Sequence, residues 1–312
     1  MWRISLFFRN IYLRITVTLL RTIYRLTRPT LPANNFNSKL QIPSRDKGRY
    51  IEARLYAKDS ISANTTTNND SANDTDIPQP ILLNLHGCAM IFPAFGTDDE
   101  FCHYISKNTP HTIIDINYRK SPENPFPAAI NDVQDTINWI LSQPQKYDLS
   151  RLSISGFSSG GNLAIVAATT LMPAQTFHSV ITFYPGVDMF SDPASKKAPD
   201  TKGKLIPPAI ARFFHRCYIP YGIDSRDVRI SPIFGDLGSF SSRLLMVTAA
   251  CDNMAPEAEE FALAVERESG CDVVLQRMEG CEHGWDKNSN AGEIQEEAKW
   301  KAYSMAVDML MK

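Results

Sequence analysis

The stretch Gly156-Phe157-Ser158-Ser159-Gly160 follows Arg151-Leu152-Ser153-Ile154-Ser155, in which Leu152 and Ile154 alternate with polar residues as they do along a strand. Gly161-Asn162-Leu163-Ala164-Ile165-Val166-Ala167-Ala168 comes next, opening on small residues and able to continue as a helix. A serine at the tip of such a strand-to-helix turn is forced into a strained backbone position with its hydroxyl exposed. Glycine two residues before it and two after lets the flanking chain pass without side-chain collision. The N-terminal end of the following helix carries partial positive charge and can hold negative charge nearby. A Gly-x-Ser-x-Gly pattern also arises by chance, so the reading turns on whether the chain supplies partners for Ser158.

A serine hydroxyl becomes a nucleophile when a base takes its proton and a carboxylate orients that base. The histidines are His86, His103, His111, His178, His215 and His283. His283 lies in Glu279-Gly280-Cys281-Glu282-His283-Gly284-Trp285, a glycine-flanked loop directly after the strand-like run Val273 to Met278. Asp252 follows the apolar run Leu244 to Ala250 and is the candidate acid, with Asp272, Asp286 and Glu257 as nearby alternatives. Three groups thus fall at the ends of three strands in the chain order Ser, Asp, His, the order of an α/β-hydrolase sheet. A further buried-strand pattern, Ile81 to Leu85, ends at His86-Gly87-Cys88-Ala89-Met90. Backbone N–H groups just after this strand, together with that of Ser159, can donate to a developing oxyanion. His86 reads as a residue that pins the loop by hydrogen bonding.

On these blocks the chain resembles the hormone-sensitive-lipase-like branch of the α/β-hydrolases, which includes arylacetamide deacetylases and many microbial carboxylesterases. The resemblance covers roughly residues 78 to 310. Its other marks are the run Asp115 to Ala129, Ser231-Pro232 ahead of the Asp252 strand, and His283-Gly284-Trp285. It implies an α/β-hydrolase fold: a mostly parallel central sheet flanked by helices, with a helical cap built from the N-terminal segment and an insertion near residues 194–221. It further implies Ser158 as nucleophile, Asp252 as orienting acid and His283 as general base. Gly87, Cys88 and Ser159 would supply the oxyanion donors, and Glu123 would support the oxyanion loop from behind. Neither a metal nor an organic cofactor is implied.

Two departures stand out. The family carries three glycines after the loop histidine, whereas here Cys88 and Ala89 follow Gly87; Ser159 stands where alanine is usual. Side chains in space that glycine leaves free would narrow the acyl site, which favours short acyl groups of the acetyl type. The aromatics of the insertion, including Phe213-Phe214-His215-Arg216-Cys217-Tyr218, point to an apolar substrate, although aromatics at helical spacing also serve plain packing.

A chain of 312 residues with 43% hydrophobic content can bury a sizeable core in one main domain. The net charge of −2 argues against a nucleic-acid partner, and neither zinc-ligand spacing nor a phosphate-binding glycine loop occurs. The six cysteines show no paired framework; Cys251 and Cys281, close to Asp252 and His283, read as small packing residues. Residues 1–45 hold eight of the 32 basic residues and none of the 34 acidic ones. On a helix Arg3, Arg14, Arg21, Arg25 and Arg28 share one narrow sector and apolar residues fill the rest, a cationic amphipathic helix. Its longest uncharged run, Ile15 to Leu20, is far short of the ~20 residues that span a bilayer. Residues 1–28 are therefore expected to lie on an anionic membrane surface or to cap the site. A signal anchor or mitochondrial presequence is a further reading of this segment, although it lacks a clean unbroken apolar core and a small-residue cleavage site. Localisation is read as cytoplasmic or membrane-associated, with the endoplasmic reticulum as one candidate.

The expected organisation is a basic helix over residues 1–45 and a hydrolase domain over 46–312, interrupted by a disordered Asn/Thr/Asp/Ser loop at 59–78. That loop holds glycosylation triplets at Asn64, Asn69 and Asn73, relevant only if the chain faces the secretory lumen. The function expected is a serine carboxylic-ester hydrolase acting on a small to medium apolar ester. An acyltransferase would use the same residues. A non-catalytic receptor on this fold would have lost the histidine, and His283 is present. Oligomeric state is left open.

Overall fold

The computed structural model describes residues 2–27, 36–58, 77–240, 242–287, 289 and 292–312, with side chains from residue 7 onward. The triplets at Asn64, Asn69 and Asn73, and nearly all of the loop expected at 59–78, lie outside the described residues. Eight strands form one sheet in the order β1-β2-β4-β3-β5-β6-β7-β8. They are β1 (Ser38–Pro43), β2 (Tyr50–Tyr56), β3 (Gln79–Leu85), β4 (Thr112–Ile116), β5 (Tyr147–Phe157), β6 (Ser179–Phe183), β7 (Arg243–Cys251) and β8 (Val273–Glu282). β2 pairs antiparallel with both β1 and β4, and every other pairing is parallel. The sheet takes in Ser38–Pro43, so it begins upstream of the boundary expected at residue 46.

The parallel strands are apolar on both faces because helices cover both. In β3, Ile81, Leu83 and Leu85 join one core and Leu82 the other; in β7, Leu244 and Met246 oppose Leu245 and Val247. Helices α3 (Ala128–Leu141), α4 (Ser159–Val166) and α6 (Ala255–Ser269) close the first face. Helices α2 (Asp99–Asn108) and α7 (Ile294–Met311) close the second, with Phe101, Ile105, Tyr303 and Leu310 buried. Full burial of each such side chain is worth about 1.5–3 kcal/mol relative to exposure. Two elements stand outside these layers: α1 (Trp2–Thr27) and α5 (Pro208–Tyr218). They meet in a small cluster of their own, where Leu13 and Val17 pack with Cys217, Phe213 and Phe214 and with Ile91 and Phe92 of the loop after β3.

Candidate active site

Parallel pairing brings the C-terminal ends of β3, β5, β7 and β8 to one edge of the sheet, where His86, Ser158, Asp252 and His283 emerge. Ser158 sits at φ 50° and ψ −115°, a backbone conformation that costs about 1–3 kcal/mol and needs surrounding structure to hold it. Its N–H donates to the Phe183 carbonyl at 2.9 Å, and its own carbonyl accepts from the Asn162 N–H at 3.0 Å. The flanking glycines are required for space. A Cβ on Gly156 would lie 2.2 Å from the Gly160 oxygen, and one on Gly160 would lie 1.9 Å from the Leu85 oxygen.

His283 Nε2 lies 2.9 Å from Ser158 Oγ, and its Nδ1 lies 2.7 Å from Asp252 Oδ2. Asp252 is buried, and its other oxygen accepts from the Met254 N–H at 3.0 Å. An ionised carboxylate can only accept, so Nδ1 carries a proton and Nε2 is left to accept from the serine hydroxyl. The alternative acids are committed elsewhere. Asp286 accepts from the Tyr184 and Tyr303 hydroxyls and pairs with Lys287, Asp272 pairs with Lys312, and Glu257 pairs with Lys196.

The loop after β3 differs from expectation in its donors. The Cys88 N–H, expected to face the oxyanion, donates to the Ser159 hydroxyl at 2.9 Å. That oxygen exists because serine stands at 159, so the departure noted in the sequence engages one of the three expected donors. The N–H of Ser159 opens helix α4, where the first amides have no partner within the helix, and it remains suited to an oxyanion. Gly87 runs directly against the nucleophile, its added Cβ falling 3.3 Å from the Ser158 Cβ. Ala89 and Met90 hold left-handed φ of 47° and 61°, so the turn is kept where side chains are present. Each such residue costs roughly 1–2 kcal/mol.

His86 is buried and its ring stacks on Tyr118, with centroids 4.6 Å apart. Burial, reinforced by the Lys120 charge, pushes its pKa well below the ordinary value. The bond that pins this loop goes to the His86 main-chain carbonyl, which accepts from the Tyr118 hydroxyl at 2.5 Å. Glu123 reaches the loop indirectly. Its two oxygens accept from Arg21 of α1 at 2.9 Å, while Arg21 Nε donates to the Ile91 carbonyl at 2.7 Å and Nη2 to the Ser121 carbonyl at 2.7 Å. The expected support from behind is thus relayed through an arginine of the N-terminal helix.

Two groups beside the site carried no mark in the sequence. Tyr184, at φ 41°, sets its ring edge-on to His283 at 4.8 Å and anchors its hydroxyl on Asp286 at 2.5 Å. Lys287 is enclosed between Asp98 and Asp286, each at 2.8 Å, and these carboxylates hold its ammonium charged against the cost of burial. The only available signal was the Tyr184-Pro185 pair just after β6; which charges meet underneath the site depends on packing between distant segments.

Over Ser158 and His283 opens a cavity of about 600 Å³. Tyr24, Phe92, Ile210, Phe214 and Tyr218 form its apolar walls, and Asp188, Lys196 and His215 give it one polar corner. His215 is held neutral there, its pKa lowered to about 4 by burial and by Lys196. Glu282 accepts from the Lys204 N–H at 2.8 Å, tying the insertion to the strand that delivers His283.

A family model described as alpha/beta hydrolase fold matches residues 82–287. The chain is 27% identical over 270 residues to an ethyl acetate hydrolase from Pseudomonas putida, an alignment that covers 84% of this chain and 78% of that protein. It is 33% identical over 94 residues to the versiconal hemiacetal acetate esterase of Aspergillus parasiticus, covering 30% of this chain and 29% of that one. In fold it is similar to an esterase from Pyrobaculum calidifontis, with TM-score 0.75, 22% identity and 97% of each chain covered. A thermophilic carboxylesterase, EstE1, from a metagenomic library superposes with TM-score 0.72 and 23% identity, over 96% of this chain and 97% of that one. Family match, sheet order and relatives agree: the chain belongs to the hormone-sensitive-lipase-like branch of the α/β-hydrolase fold and is a serine hydrolase of the carboxylesterase type.

Proposed function

We propose that this esterase cleaves small to medium esters with short acyl groups, using Ser158 as nucleophile, His283 as general base and Asp252 as the acid that orients it. The observation that carries the reading is the continuous relay from Asp252 through His283 to Ser158, at 2.7 and 2.9 Å. His283 Nε2 takes the Ser158 proton as Oγ attacks the ester carbonyl, and the oxyanion rests on the N–H groups of Gly87 and Ser159. His283 returns the proton to the departing alcohol, then deprotonates water, which attacks the acyl-enzyme and releases the acid. Asp252 keeps the tautomer throughout. No step calls for a metal or organic cofactor. Ser158→Ala is expected to lower kcat at least about a thousandfold with an unchanged unfolding transition; retained turnover would refute the assignment.

Support for a short acyl group comes from Cys88, Ala89 and Met90, residues larger than glycine that are among those lining the cavity. Two relatives are also named for acetyl esters. A panel of p-nitrophenyl esters should show kcat/KM highest for acetyl or butyryl, and a preference for chains of about eight carbons or more would sink this part of the reading. Transfer of the acyl group to an alcohol uses the same residues, and product analysis with a competing alcohol separates it from hydrolysis. The basic segment at residues 1–28 adds a membrane surface as a partner to this reading.

A further inference from the structure

Helix α1 has two apolar faces. Leu13 and Val17 are 4% and 0% exposed, and with Arg21 and Tyr24 they form the face turned to the protein, Tyr24 stacking on Phe92 at 5.0 Å in the cavity wall. On the opposite side Phe8, Tyr12, Ile15, Leu19, Ile23 and Leu26 recur every three or four residues, the spacing of one helix face. Ile15, Leu19 and Leu26 are 66%, 60% and 80% exposed. A contiguous exposed stripe of this kind marks an interaction surface rather than scattered surface residues. Arg14 and Arg25 are both exposed and lie on the flank between the two faces beside Arg21, with Thr18 and Thr22 between them and the stripe. The arginine sector read from the sequence is therefore the edge between the two faces, and Arg21 has turned inward to pin the loop.

We infer that the outer face of α1 beds into the surface of an anionic lipid bilayer while its inner face remains the roof of the catalytic cavity, so that the enzyme takes its esters from the lipid phase. This rests on the esterase reading for its substrate but not for its docking. The occupant is argued from charge: residues 1–45 carry eight basic groups and no acidic one, Arg21 and Arg45 are paired with Glu123 and Asp135, and the exposed Arg14 and Arg25 complement anionic headgroups. From that flank Arg14 and Arg25 can extend their stems toward the bilayer surface and leave their guanidiniums among phosphates. Among the described residues no helix is long and apolar enough to cross a membrane, consistent with a helix lying in the interface plane. One helix diameter, about 10 Å, then separates lipid from the cavity wall at Tyr24.

The test uses the full chain with vesicles of phosphatidylcholine alone or mixed in equal parts with phosphatidylglycerol. The protein is expected to co-sediment with the mixed vesicles and be released by salt. The double variant Ile15→Glu/Leu19→Glu should lose partitioning tenfold or more while hydrolysing water-dissolved p-nitrophenyl acetate as before. Arg14→Gln/Arg25→Gln should lose the preference for phosphatidylglycerol. A long-alcohol acetate ester dissolved in the mixed vesicles should be cleaved at least tenfold faster by the parent chain than by Ile15→Glu/Leu19→Glu. Ser158→Ala should still co-sediment, so a failed esterase assignment shows separately from failed docking. Absence of binding to mixed vesicles overturns the inference. So does a concentration-dependent dimer in light scattering that the glutamates break, since the stripe would then be covered by a second copy.

Discussion

Ser159 shows how one hydroxyl can redirect a site whose residues are otherwise plain. Its oxygen takes the N–H of Cys88, a group expected from the sequence to serve the oxyanion, and lies 3.5 Å from the Tyr118 hydroxyl that holds the same loop. Replacing it frees the amide and removes one buried hydrogen bond, worth about 1 kcal/mol. Ser159→Ala is therefore expected to raise kcat on acetyl esters about two- to tenfold, since an oxyanion-hole donor is worth more in the transition state than in the ground state. KM should change little and the melting temperature should fall slightly; a tenfold loss in kcat would mean instead that the hydroxyl orients the loop for catalysis. Ser158, Asp252 and His283 were legible in the sequence because each follows an apolar strand run of its own. Strand-end position also favoured Asp252 over Asp286, and the contacts agree. Both are acidic and buried, Asp286 three residues from His283 and Asp252 thirty-one, and the fold points the distant one at the imidazole and the near one at Tyr184, Tyr303 and Lys287.

At the scale of elements, α1 is held by the packing of Leu13, Val17 and Tyr24 and by the polar anchor Arg21. Arg21 joins three separate groups, Ile91, Ser121 and Glu123, with charge-assisted bonds of 2.7 to 2.9 Å. Part of that geometry is exposed to solvent on the Glu123 side, which screens the ion pair. Arg21→Ala should lower stability by about 1–2 kcal/mol. It should also raise KM by loosening the Tyr24–Phe92 wall; thermal denaturation alongside ester kinetics checks both, and an unaltered KM would mean that α1 is not a wall of the working pocket. The amphipathic character of α1 was readable from its spacing, and the existence of β3, β5, β7 and β8 from their apolar runs. Boundaries were less so. β8 runs on through Glu279 to Glu282, where glycine and acidic residues had read as loop, because parallel pairing to β7 resumes at Cys251 with Glu282 after a register shift.

Across the whole molecule, burial of titratable groups sets how stability responds to acid. His111 lies between α2 and β4, buried, with its pKa lowered to about 4 by desolvation and by the nearby Arg151 and His178. A base with a depressed folded pKa binds its proton more readily in the unfolded chain, so stability falls as pH drops from about 6.5 toward 4. The loss attributable to His111 is up to about 3 kcal/mol. His111→Gln should flatten that part of the stability–pH curve in urea unfolding, and an unchanged slope would assign it to other groups. The order Ser, Asp, His at successive strand ends, the glycine pair that lets β5 turn into α4, and the arginine-bearing apolar helix were all determined by the sequence alone. They are local properties: periodicity, small residues at a turn, and charge along one segment. The tertiary structure alone decided that Ser159 would occupy the Cys88 amide, that Arg21 would carry Glu123's support to the loop, and that α1 would bury Leu13 and Val17 while leaving Ile15 and Leu19 bare. Each of these is a contact between segments far apart in the chain, or a choice between chemically equal candidates, and distance in space, which sequence spacing does not encode, makes the choice.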